Sequence, residues 1–110
     1  MIHVRLYFVA PQNSRAFIAA FHDGGLWRGS VRHTCPELIG IDLLCSRTVP
    51  ALFISTEFWI SEYAYGAAWN LSVMSSLANF LKSLGVVCVD LGAFSFPLRD
   101  DVKVAGYRPA

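Results

Sequence analysis

The stretch Ala51-Leu-Phe-Ile-Ser-Thr-Glu-Phe-Trp-Ile-Ser-Glu-Tyr-Ala-Tyr65 runs from a strand straight into a capped helix. Residues 51–59 are rich in β-branched and aromatic types, the composition of a strand packed on both faces. Ser61 is a good N-cap, and Glu62 follows in the first turn, where a carboxylate meets the positive end of the helix dipole. One β-to-α step is thereby placed, and the other elements are read outward from it.

Upstream, Val49-Pro50 is a turn and Leu38 to Cys45 reads as strand two, with Asp42 alone among apolar neighbours. Residues 2–10 form strand one, alternating Ile2, Val4, Leu6 and Phe8 on one face with His3, Arg5 and Tyr7 on the other. Between these strands a helix capped by Asn13 or Ser14 carries Phe17, Ile18, Ala20 and Phe21 in one stripe, and Gly24-Gly25 weakens or stops it. The sequence leaves open whether Trp27 starts a second helical piece. Downstream, a short helix reaches about Trp69. A second helix carries Leu77, Phe80, Leu81 and Leu84 at helical spacing and ends at Gly85. Val86 to Phe96 is the last strand, with Gly92 marking a bulge. The reading is a domain over 1–97 closed by Pro97, with a C-terminal tail at 98–110.

The order β-α-β-β-α-β is the split βαβ, ferredoxin-like, α+β arrangement, with a four-stranded antiparallel sheet, strands one and three central and the helices on one face. All four strands carry apolar residues on both faces, so the bare face needs a cover. With no sequence left to supply one, a second copy is the economical answer, giving a homodimer that pairs as a dimeric α/β barrel. Composition agrees: of 110 residues, 55% are hydrophobic and 15% charged, more apolar side chain than a small monomer hides easily.

A net charge of +1 argues against nucleic acid as a partner, and Arg28, Arg32 and His33 read as no more than a solvated helix end or a small anion contact. No apolar run reaches the roughly 18 to 20 residues of a membrane span, and Met-Ile-His-Val-Arg-Leu begins with strand-like alternation, so the expectation is a cytoplasmic protein without a membrane role. The three cysteines have no C-x-x-C spacing, which argues against a disulfide scaffold or a zinc site. Cys45 and Cys88 sit in apolar runs and read as small hydrophobes with structural rather than reactive roles; Cys35, before Pro36, reads as the exposed thiol. No G-x-G-x-x-G or P-loop is present, and the expectation is a protein without cofactor or metal.

Glu57-Phe-Trp-Ile-Ser-Glu-Tyr-Ala-Tyr65 resembles the Trp-x-Ser-x-Glu-Ala type signature of the antibiotic biosynthesis monooxygenase superfamily. Pro36-Glu-Leu-Ile-Gly40 is similar to its Pro-Gly-x-x-Gly segment, and Gly92-Ala-Phe-Ser-Phe-Pro97 to a common ending of its last strand. The resemblance covers residues 2–97 and implies a dimeric α+β barrel. For function it implies a cofactor-independent monooxygenase acting on a small aromatic or polyketide-like molecule, or an isomerase or cyclase using the same base. The alternative is a non-catalytic dimeric binding or accessory protein of the same fold. The chain departs from the family where Ala68 and, near it, Val73 replace helical histidines. The haem-degrading branch is disfavoured because strand one lacks an asparagine and position 79 is Asn79 rather than a histidine.

Arg5, Asp42, Glu57 and Asp90 each interrupt an apolar strand, and Arg5 and Glu57 fall on neighbouring central strands. They read either as a polar patch in the cavity between sheet and helices, with Glu57 or Asp90 as proton acceptor, or as an ion pair that fixes register. Glu57 and His22 are the candidate catalytic residues. Trp69, Trp59, Tyr65, Arg5 and Trp27 are the candidates for touching a small hydrophobic or aromatic ligand, Trp69 first among them.

Overall fold

The structure, a computed structural model, describes residues 1–22 and 24–95. Asp23, Phe96, Pro97 and the tail 98–110 lie outside the described residues. Strands β1 (Ile2–Phe8), β2 (Leu38–Cys45), β3 (Leu52–Trp59) and β4 (Val87–Phe94) form one antiparallel sheet in the order β2-β3-β1-β4. Strands one and three are therefore central, as the sequence indicates, and the fold is α+β. Helices α1 (Ser14–Ala19), α2 (Arg32–Thr34), α3 (Glu62–Ala68) and α4 (Ser72–Ser83) complete it, with a 3₁₀ turn at Pro11–Asn13 and a π-helical turn at Leu26–Val31.

Burial alternates strictly along β1 and β3. The inward face of β1 is His3, Arg5 and Tyr7; that of β3 is Phe53, Ser55, Glu57 and Trp59. Tyr7, Phe17, Phe21 and Phe53 form an aromatic cluster with ring centroids 5.1–6.1 Å apart, in tilted and edge-on arrangements that favour such pairs. Trp27 and Trp59 are fully buried beside it. On the opposite face Phe8, Val87, Val89 and Phe94 are exposed and Ile2, Val4, Leu6 and Ile54 are only half-buried.

The junction after β3 forms as read: Ser61 Oγ accepts from the Ala64 amide at 3.1 Å. Gly85, at φ 67°, follows the end of α4, and Gly92, at φ 90°, follows the register shift of β4 against Val4 and Arg5. The first helix begins differently. Asn13 does not cap it through its side chain; instead Asn13 Nδ2 donates to the Leu84 carbonyl at 2.9 Å, tying the start of α1 to the end of α4. Ser14 lies inside the helix, donating to Pro11 O.

The first helix ends at Ala19 with Ala20 as its C-cap, ahead of Gly24-Gly25, so the glycines do not stop it; Trp27 belongs to a second helical piece. That piece folds back because Gly25 lies against the carbonyl of Ala19, so that Ala20 O receives both the Trp27 amide (2.8 Å) and the Arg28 amide (3.2 Å). Arg28 and Arg32 are not free cations: their guanidinia donate to Ile41 O, just beyond the irregularity in β2, and to Ile39 O within it. The cysteine reading is also corrected. Cys35 is buried at the end of α2, whereas Cys45 and Cys88 are exposed, because both lie on edge strands that the helices cover incompletely.

Two glycines separate the steric from the conformational effect. A Cβ at Gly25 would sit 2.3 Å from Ala19 O, while one at Gly66, inside α3, meets nothing within 4 Å. Gly25→Ala should cost about 1–3 kcal/mol by overpacking. Gly66→Ala should add about 0.5–1 kcal/mol by restricting the unfolded chain. Urea unfolding at one fixed protein concentration checks both, and the opposite signs are the expected result.

Candidate functional site

The chemistry lies on the inward face of the two central strands. Arg5 and Glu57, offset diagonally in the register, form a buried ion pair: Arg5 Nη1 donates to Glu57 Oε2. Glu57 Oε1 accepts from Trp59 Nε1 at 3.0 Å, so both carboxylate oxygens are occupied and the side chain is wholly buried. Arg5 Nη2 donates to the Tyr65 hydroxyl at 2.6 Å. The guanidinium carbon lies 4.9 Å from the centroid of the Trp69 ring and 5.7 Å from that of Tyr65, within range of cation–π attraction. Tyr65 and Trp69 reach it together because they are four residues apart at α3 and face one side.

A second pair flanks the first. His3 Nε2 lies 2.7 Å from Asp90 Oδ1 and 3.1 Å from the Tyr65 oxygen, and the His3 and Tyr65 rings stack at 4.3 Å. An ionised carboxylate only accepts, so Nε2 carries the proton and Nδ1 holds the lone pair. Nδ1 is buried without a hydrogen-bond partner. Asp90, half-exposed on the edge strand, also accepts from the Gly92 amide at 2.7 Å.

Burial disfavours the Arg5 cation, yet the adjacent Glu57 carboxylate takes its pKa above the usual value. Burial pushes the Glu57 carboxyl up; Arg5 and the Trp59 N–H pull it back in part. His3 is held below its ordinary 6.5 by burial and then by the nearby Arg5 charge.

Beside this network lies a cavity of about 410 Å³ between α4 and the strands β1 and β4. Arg5, Tyr7, Trp69 and Cys88 form its inner wall, and Leu77, Leu81 and Lys82 of α4 line the other side. Of the residues nominated from sequence, Arg5 and Trp69 line it. Tyr65 supports Arg5 from behind. Glu57 and Trp59 are buried in the network and do not line the cavity. Trp27 is packed in the core, away from any mouth, and His22 is exposed on a separate hollow with Ser14, Arg15, Ile18 and Ala19. Asp42 faces the opposite side of the sheet, exposed beside Thr56.

Sequence reading gave little weight to His3 and none to Lys82. The signal for His3 was its place on the same face as Arg5. Lys82 was legible as the one cation among Leu77, Ala78 and Leu81 on α4. Among the described residues no group of three or more His, Cys, Asp or Glu side chains is placed to hold a metal ion, and no helix is long and apolar enough to cross a membrane.

Because the folded His3 pKa lies below 6.5, the unfolded chain binds the proton first as the pH falls. Stability is therefore full above 6.5 and is lost progressively below it. Asp90 adds to the loss at lower pH: burial works against its carboxylate, but the Gly92 amide and His3 hold its pKa below the usual value. His3→Gln keeps a donor to Asp90 and removes the titration. Its melting temperature should fall less between about pH 7 and pH 5 than that of the wild type; parallel curves would contradict the assignment.

No family model matches the chain, and no curated protein matches it. Solved structures do. SnoaB, a cofactor-independent oxygenase from Streptomyces nogalater, is 15% identical with a TM-score of 0.61, over 89% of this chain and 96% of that one. An antibiotic biosynthesis monooxygenase is 19% identical at a TM-score of 0.57, over 86% of this chain and 100% of its own. HapK from Hahella chejuensis is 9% identical at 0.60, over 90% and 100%. Likeness at these identities is likeness of fold: the chain has the fold of the antibiotic biosynthesis monooxygenases.

Proposed function

We propose that the chain is a cytoplasmic homodimer that binds a small planar aromatic molecule in the cavity under α4 and oxidises it with molecular oxygen, without a cofactor. The observation that carries this reading is Arg5. It is a buried cation fixed by Glu57 and Tyr65, stacked on Trp69, and set in the wall of an otherwise largely apolar cavity. A phenolic or enolisable ligand laid along Trp69 with its oxygen at Arg5 is bound more tightly as its anion, so its proton leaves more readily. The proton passes to water, and the electron-rich anion reacts with oxygen directly: in an anthrone the CH2 carbon becomes a quinone carbonyl, one oxygen atom of O2 staying on that carbon and the other leaving as water. In this reading Glu57 positions Arg5 rather than taking the proton, and Trp59 positions Glu57. The likeness in fold to a protein named a cofactor-independent oxygenase supports the choice of chemistry by analogy.

The second reading, a non-catalytic binding protein, has its own support. Both oxygens of Glu57 are bonded, and neither Glu57 nor His22 lines the cavity, so neither nominated base faces a ligand there. Oxygen uptake with an anthrone or naphthalenediol separates the two. The wild type should consume oxygen. Trp69→Ala, at a half-exposed position, should raise KM. The pair Arg5→Met with Glu57→Met removes the cation without stranding a buried carboxylate and should abolish uptake while the protein stays folded. Binding without uptake in the wild type establishes the second reading instead.

The apolar outer face of the sheet supports the dimer: Phe8, Val89, Leu91 and Phe94 are exposed there together with half-buried Ile2, Val4 and Ile54. Sedimentation at micromolar concentration should give twice the 12.2 kDa chain mass. Ile54→Glu should shift it towards monomer, and a stable monomeric wild type would overturn the assembly.

A further inference from the structure

The side chains lining the cavity carry charge of one sign. Arg5 sits at the inner wall and Lys82 in the last turn of α4, and among the described residues no Asp or Glu lines the space between them. Glu57 offsets the Arg5 charge only from behind, since it is wholly buried beneath the guanidinium, and Asp90 is engaged by His3 and the Gly92 amide. Glu57 and Tyr65 take two of the five N–H donors of Arg5. Lys82 has no ion pair among the described residues. The intervening wall is apolar: the planar Trp69 ring on one side, Leu77, Ala78 and Leu81 on the other.

We infer that the ligand of this cavity is a planar aromatic acid, carrying a carboxylate or an equivalent fixed anionic group that Lys82 and Arg5 recognise, and not merely a neutral phenol. The inference rests on the binding site proposed above and adds the charge of the ligand to it. A guanidinium prefers a planar two-oxygen anion, and its hydrogen bonds to an anion are stronger than those to a neutral oxygen. An ammonium on a flexible stem adds attraction without imposing geometry. A volume of about 410 Å³ lies within the usual range of small-molecule pockets and suits a fused two- or three-ring acid.

Calorimetric titration with 2-naphthoate, its neutral counterpart 2-naphthylmethanol and the cation 2-naphthylmethylammonium tests the inference. At low salt naphthoate should bind about tenfold more tightly than the alcohol, and the ammonium should bind weakest. Lys82→Gln should narrow the acid-to-alcohol ratio to about threefold. The double variant Arg5→Met, Glu57→Met should narrow it as well. Equal affinity for acid and alcohol, or a ratio untouched by Lys82→Gln, overturns the inference while the aromatic-binding reading stands. Absence of binding by all three compounds overturns both.

Discussion

The buried Arg5–Glu57 pair is the constraint around which the site is arranged. Two ionised groups removed from water are costly unless their remaining donors and acceptors are satisfied, and one alone would be far costlier. The chain meets that demand with three neighbours from two adjoining segments. Trp59 at the end of β3 takes the second Glu57 oxygen, Tyr65 of α3 receives the second Arg5 nitrogen, and Trp69 covers the guanidinium. The Trp59-to-Tyr65 junction is therefore more than a connection between strand and helix. Its cap at Ser61 sets where α3 begins, and so brings Tyr65 and Trp69 over Arg5.

The same constraint orders the rest of the sheet. With His3, Arg5, Tyr7, Ser55 and Glu57 on the inward face, the helices cover polar as well as apolar side chains. They do so only because these groups bond one another: Ser55 Oγ donates to the Tyr7 hydroxyl at 3.0 Å, and His3 engages Asp90 and Tyr65. The outward face of β1, Ile2, Val4, Leu6 and Phe8, is wholly apolar, so the strand reverses the usual arrangement of a monomer. A sheet built this way places its chemistry between sheet and helices and leaves its hydrophobic surplus outside.

What was legible in the sequence was local. Alternation in residues 2–8, the Ser61 cap, Gly85 after α4 and the bulge at Gly92 are each set by neighbours in the chain, and each forms as read. What was not legible depends on contacts across the fold. Asn13 looks like a cap by type, but the Leu84 carbonyl competes for its side chain. Cys45 and Cys88 lie in apolar runs, yet both fall on edge strands, whereas Cys35 is drawn inward by the turn that returns from α2 to β2. Arg28 and Arg32 read as solvated charge because nothing in their own segment reveals the β2 carbonyls they reach. Glu57 and Arg5 were placed on adjacent strands correctly, but spacing alone does not tell a base facing a cavity from a carboxylate sealed behind an arginine. His22 was nominated because, with Trp27 following, it could line a pocket mouth, but it lies past the end of α1 on a separate hollow while Trp27 is buried in the core.

The central claim is that Arg5 and Glu57 act as one unit, with the carboxylate holding the cation in place. A double-mutant cycle on folding stability tests it most directly, using Arg5→Met, Glu57→Met and the two together. Each single change leaves a buried charge without its partner and should cost about 3–5 kcal/mol, while the double change should cost far less than their sum, a coupling of several kcal/mol. If the two single costs simply add, the pair is not the constraint proposed here.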